Sequence, residues 1–164
     1  MTFTRAITTV GGVGLLPKAP GTWGSLAALP LAYLLHYLGG FPLLAIATLI
    51  VFALGWWATA QETAGKDDHD PSEIVVDEVV GQWLALWGLS AGLWFAGQPP
   101  HVFPYPGVIA GFLLFRILDI SKLWPIVIFD RMKTPLGVML DDVVAGVMVS
   151  ATVLLGAMIA HGGL

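Results

Sequence analysis

No charged side chain interrupts residues 26–61, 79–115 or 143–164 of this 164-residue chain, and every Asp, Glu, Lys and Arg falls outside those runs. Arg5 and Lys18 lie near the start. Glu62, Lys66, Asp67, Asp68, Asp70, Glu73, Asp77 and Glu78 form a second group, and Arg116, Asp119, Lys122, Asp130, Arg131, Lys133, Asp141 and Asp142 a third. A soluble domain this small must cover a large surface with polar groups. With 57% hydrophobic and 11% charged residues, against about 45–50% and about 25% in an average domain, this chain has too few. The sequence therefore reads as a membrane protein rather than as the helical core of a soluble oligomer.

The apolar runs divide into five helical spans, at 22–38, 41–60, 79–96, 103–120 and 143–161. A spanning helix needs about 20 apolar residues. The first and fourth spans are short, which leaves open whether they cross fully. Backbone groups in lipid must be satisfied within the segment, which favours helices, and no alternating barrel pattern is present. Five crossings put all three charged groups on one face and every Lys and Arg with them. The positive-inside rule makes that face cytoplasmic. Trp23, Trp83 and Trp124 lie near span ends, where an interfacial belt or ordinary core packing would each suit them. The expected fold class is all-α: one domain over residues 1–164, a compact helical membrane protein of about five apolar helices with cytoplasmic charged loops. Residues 1–25 do not read as a signal peptide, because glycines and prolines interrupt any apolar run.

Two acidic doublets carry the chemistry. Asp77-Glu78 precedes Val79-Val80-Gly81, and Asp141-Asp142 precedes Val143-Val144-Ala145-Gly146. Each reads as a carboxylate pair at the mouth of an apolar helix. One such pair is explained by N-capping. Two pairs on one face at a membrane boundary point to a functional site. Clustered carboxylates repel unless a cation neutralises them, and hard oxygen ligands select Mg²⁺, Ca²⁺ or Mn²⁺ over zinc. The chain has no cysteine, which excludes thiolate metal sites and a cysteine nucleophile. Its net charge of −4 argues against a nucleic-acid partner.

Three further segments supply polar groups. Arg116, Asp119 and Lys122 are spaced by three and share a helix face, either as ion pairs or with Arg116 and Lys122 holding phosphate oxygens while Asp119 orients one of them or joins the metal shell. Lys18, Thr22 and Ser25 sit in a glycine-rich stretch that suits anion binding or capping of the first helix. Asp68-His69-Asp70 has the spacing of an aspartyl-phosphate motif, although no preceding strand is readable. Asp70 and His69 are candidates to reach the site.

Four blocks together resemble one family. Lys18-Ala19-Pro20-Gly21-Thr22-Trp23-Gly24-Ser25, Asp68-His69-Asp70-Pro71-Ser72-Glu73-Ile74-Val75-Val76-Asp77-Glu78, Phe115-Arg116-Ile117-Leu118-Asp119-Ile120 and Asp141-Asp142-Val143-Val144-Ala145-Gly146 come in the order of phosphatidylglycerophosphatase A. The resemblance implies a Mg²⁺-dependent enzyme of the bacterial inner membrane that hydrolyses phosphatidylglycerophosphate to phosphatidylglycerol and phosphate. It implies Asp77, Glu78, Asp141 and Asp142 as metal ligands, with Asp70 as an additional candidate. Arg116 then acts in catalysis, and Lys18, Thr22, Ser25, Arg116, Asp119 and Lys122 in substrate binding. Lys122-Leu123-Trp124-Pro125 departs from the family's usual Lys-Pro-Trp-Pro, so the placement of Lys122 is the least secured. The partner is a phospholipid in the membrane, and oligomerisation is left open. The alternative is a small membrane cation-binding or transport protein using the same carboxylates.

Overall fold

Glycine and proline set the helix boundaries. The computed structural model describes residues 1–68 and 70–160, and among these every regular element is helical: α1 (Phe3–Thr8), α2 (Pro20–Thr63), α3 (Val76–Phe95), α4 (Tyr105–Ser121), α5 (Ile126–Asp130) and α6 (Pro135–Ala160), with one 3₁₀ turn at Val13–Leu15. Pro20 and Pro135 open α2 and α6, where a missing N–H costs nothing. The Thr134 hydroxyl accepts the Gly137 N–H at 3.1 Å at the start of α6.

The first two expected spans are two arms of α2, broken at Gly39-Gly40. Gly40 has φ +62° and ψ −157°, and a Cβ there would lie 2.0 Å from the Trp94 ring. Only glycine combines that backbone region with that approach. The chain reverses here. Ser25 in the first arm meets Glu78 at the start of α3, and Gly55 in the second arm meets Val76 two residues away.

α3 is the axis of the molecule. The first arm of α2 runs alongside it from Ser25–Glu78 to His36–Ser90, whose side chains are 2.8 Å apart. The second arm returns antiparallel, through Trp87–Thr48 to Gly55–Val76. α4 is also antiparallel, from Gly107 beside Leu89 to Phe115 beside Gly81. α6 is parallel, from Gly146 beside Gly81 to Leu154 beside Gly88. The tightest crossing is α3 on α6, where a Cβ on Gly146 would lie 2.3 Å from the Gly81 carbonyl oxygen. Small residues allow this approach of two backbones.

This packing gathers the starts of α2, α3 and α6 and the end of α4 at one pole. Gly39-Gly40 and the end of α3 form the other. Two boundaries differ from expectation. α3 begins at Val76, so Asp77 and Glu78 lie in its first turn. α6 begins at Pro135, so Asp141 and Asp142 lie well inside the helix rather than at its mouth, and helix capping does not account for them. Trp83 is core, 5% exposed, with its indole N–H on the Ala28 carbonyl at 2.9 Å; Trp23 and Trp124 are exposed. The final expected span extends to His161, outside the described residues. Among the described residues, α2 and α6 are the two helices long and apolar enough to cross a membrane.

Candidate active site

A helix turns about 100° per residue, so neighbours in an acidic doublet point in different directions. In both doublets the first member turns back on the backbone: Asp77 Oδ1 accepts the Glu78 N–H and Asp141 Oδ1 the Asp142 N–H, each at 2.9 Å. The second members, Glu78 and Asp142, converge with Asp119 of α4. One carboxylate oxygen from each lies within 4.8 Å of the others. All five of these carboxylates are buried.

Two cations thread this group. Arg116 Nη1 donates to Glu78 Oε2 at 2.5 Å and pairs with Asp119 at 3.1 Å. Lys122 Nζ donates to Asp141 at 2.6 Å and to Asp119 at 3.0 Å, with Asp130 at 3.7 Å. Lys122 caps α4 with φ +46°, a left-handed turn that ends the helix there. Burial opposes its charge, but the hydrogen bond it donates to Asp141, and the charges of Asp141, Asp119 and Asp142, hold the ammonium protonated above the ordinary lysine range. Lys122 stands among these acids in a segment that reads Lys122-Leu123-Trp124-Pro125.

These side chains line an open pocket of about 330 Å³ together with Pro20, Gly21, Asp70, Ser72, Ile74 and Ile120. Ser25 donates to Glu78 Oε2 at 2.8 Å from behind the wall. Thr22 and Lys18 are not among the lining residues: the Thr22 N–H bonds Ala19 in the first turn, and Lys18 is exposed with φ +63°. Asp68 accepts the Asp70 N–H at 3.0 Å in a loop, and no strand precedes it among the described residues. His69 lies outside them.

Gly21 was not singled out by sequence reasoning. A Cβ there would lie 2.0 Å from Glu78 Oε1 and 3.5 Å from Arg116 Nη1, so its hydrogen lets α2 close against the Glu78–Arg116 pair. Gln82, one turn beyond Glu78, is fully buried with neither amide atom hydrogen-bonded. No pattern in the sequence flags it, because a lone glutamine in an apolar helix reads as a helix former.

The donor set fits a hard divalent cation. Every candidate ligand is a carboxylate oxygen, and five buried acids face two cations, leaving an excess of negative charge that a buried site does not sustain unpaired. It also has capacity for an anion: Arg116 Nε is buried and unpartnered, a donor left over on a guanidinium suited to phosphate oxygens.

Residues 6–157 match the family model described as phosphatidylglycerophosphatase A. The chain is 40% identical over 138 residues to phosphatidylglycerophosphatase A of Escherichia coli K12, covering 84% of this chain and 73% of that one. It is 37% identical over 137 residues to phosphatidylglycerophosphatase A of Haemophilus influenzae, covering 83% and 77%. No solved structure matches.

Proposed function

The chain belongs to the phosphatidylglycerophosphatase A family and is a phosphatase, and from that premise we propose that it hydrolyses phosphatidylglycerophosphate to phosphatidylglycerol and phosphate, with Mg²⁺, at the cytoplasmic face of a bacterial inner membrane. The observation that carries the reading is the meeting of Glu78, Asp119 and Asp142, from three helices, with Arg116 and Lys122 at one open pocket.

In this reading Glu78, Asp119 and Asp142 hold the ion, and Asp77, Asp141 and Asp70 complete the acidic shell. Asp119 thus takes the second of its two expected roles, a ligand of the ion rather than an orienter of a phosphate-binding cation. Bound Mg²⁺ supplies neutralisation of phosphate charge and a bound water of lowered pKa. The chain's own groups do the rest. Arg116 and Lys122 exchange carboxylate contacts for phosphate oxygens and stabilise charge growing on them. Water attacks phosphorus as the bond to the glycerol oxygen breaks; a pocket carboxylate without an ion pair takes the water's proton and returns it to the leaving glycerol oxygen. Ser25 and Gly21 keep Glu78 in register. A cation carrier would not place Arg116 and Lys122 inside its own ligand shell, where they compete with the ion.

The membrane assignment draws support from the distribution of side chains. Large apolar residues on the flanks are exposed, among them Leu49 (62%) and Ile159 (68%), whereas the charged groups gather at one pole. Water would not tolerate the first feature over so much surface; a bilayer requires it. With α2 reversed at Gly40, the two arms of α2 with α3, α4 and α6 make five crossings.

The test is phosphate release from phosphatidylglycerophosphate by purified protein, with and without Mg²⁺. Release that stops with chelator and returns with Mg²⁺ is expected. Mg²⁺-independent release would remove the metal from the mechanism; ion flux in vesicles without any release would favour the carrier.

A further inference from the structure

The pocket has one divided wall. α3 and α6 form its back, held together at Gly81 and Gly146. Ser72 and Ile74, from the segment before α3, line another side. The remaining wall is shared by Pro20 and Gly21 of α2 and by Arg116 and Ile120 of α4, two helices that touch over only a short stretch.

Exposed apolar side chains of α4 and of the first arm of α2 flank that division on the outside of the molecule. α4 presents Ile109, Leu113 and Ile120 in one stripe, since positions four and seven apart share a helix face. They are 51%, 52% and 70% exposed. Ile120 belongs to both surfaces, because it also lines the pocket. On the α2 side, Leu26 and Tyr33 are seven apart and exposed. Leu26 follows Ser25, whose hydroxyl lies 3.4 Å from Arg116 of α4. Phe103, leading into α4, packs on Tyr33 at 6.0 Å and His36 at 4.9 Å and closes the far end. From Ile109 to Ile120 the stripe runs about 16 Å.

We infer that the opening between α2 and α4 is a cleft that seats the acyl chains of the lipid substrate while its phosphate occupies the carboxylate pocket, so that Leu26 and Leu113 set the preference for long-chain substrate. The inference rests on the reading that the substrate is a lipid phosphate. Such a lipid keeps its chains in the bilayer and reaches a polar pocket only from the side. At the α2–α4 opening the exposed apolar stripe of α4 reaches the pocket through Ile120. Leu26 and Leu113 touch neither phosphate nor metal; they act on substrate affinity alone.

Leu113→Asn and Leu26→Asn test this, with Ile46→Asn as control, since Ile46 (56%) is at least as exposed as Leu113 (52%) and Leu26 (37%) but lies in the other arm of α2. Each variant is assayed on long-chain phosphatidylglycerophosphate in vesicles and on a water-soluble dibutanoyl homologue. The cleft variants are expected to raise KM for the long-chain lipid about tenfold, the scale of losing the burial of a few methylenes. Their kcat, and their kinetics on the soluble homologue, should match wild type, as should Ile46→Asn throughout. Cross-linking of a lipid phosphate with a photoreactive acyl chain to wild-type protein should label α2 around Leu26 and α4 around Leu113. Unchanged KM in both cleft variants with wild-type turnover intact, or labelling spread over α6 and the second arm of α2, overturns the cleft alone. Wild-type protein that releases no phosphate from either substrate overturns the lipid phosphatase reading and the cleft with it.

Discussion

At the scale of single residues, the site is defined by which oxygen faces which neighbour. Asp142 is 3% exposed and shares its surroundings with Glu78 and Asp119. An isolated buried carboxylate is costly, and like charges add to the cost. Asp142→Asn therefore has opposite effects on stability and function. It is expected to raise the Tm of the metal-free protein, by removing one repelling charge. It should also lower kcat by about two orders of magnitude, the scale of losing one electrostatic partner of a transition state. Calorimetry in chelator and phosphate-release kinetics read the two effects. A lower Tm together with normal turnover would show Asp142 to be an ordinary hydrogen-bonded core acid.

At the scale of elements, the decisive feature is the α3–α6 crossing. Gly81 follows Glu78 by three residues and Gly146 follows Asp142 by four, so the point of closest backbone approach lies one turn below the carboxylates. Glycine here serves distance. Gly146→Ala forces a Cβ to within 2.3 Å of the Gly81 carbonyl, and such overpacking typically costs about 1–3 kcal/mol. Because the displaced helix carries Asp141 and Asp142, the Mg²⁺ concentration for half-maximal activity should rise as Tm falls. Gly156→Ala in the same helix meets nothing within 4 Å. It should leave the Mg²⁺ dependence alone and stabilise slightly, by up to about 1 kcal/mol of helix propensity. Equal behaviour of the two variants would show that the crossing does not set carboxylate spacing.

At the scale of the whole molecule, the charged pole and the apolar flanks define an orientation. The chain has no native cysteine, so single cysteines report topology directly. Lys66→Cys, in the charged pole, should react with a membrane-impermeant thiol reagent only after the inner membrane is opened. Gln98→Cys, in the turn between α3 and α4 at the other pole, should react in intact spheroplasts. Labelling of both in intact spheroplasts would contradict an odd number of crossings between them.

Much of this architecture is written in the order of residues. Helicity and the gathering of charge at one pole follow from charge-free runs of spanning length, because burying backbone polar groups in an apolar environment leaves the helix as the economical solution. The reversal at Gly39-Gly40 was visible as a break between two runs, though not as a kink within one helix, since only the Trp94 contact shows why the second position must be glycine. The acidic doublets were visible as pairs. What they became was not. Sequence adjacency suggested that Asp77 acts with Glu78 and Asp141 with Asp142, whereas 100° per residue divides each pair. Asp119, 41 residues after Glu78 and 23 before Asp142, joins them only because α4 packs antiparallel to α3. The inward turn of Lys122, the exclusion of Lys18 and the closure of Gly21 on Glu78 have the same origin: local spacing decides which face a side chain takes, and only the packing of helices against one another decides what stands opposite.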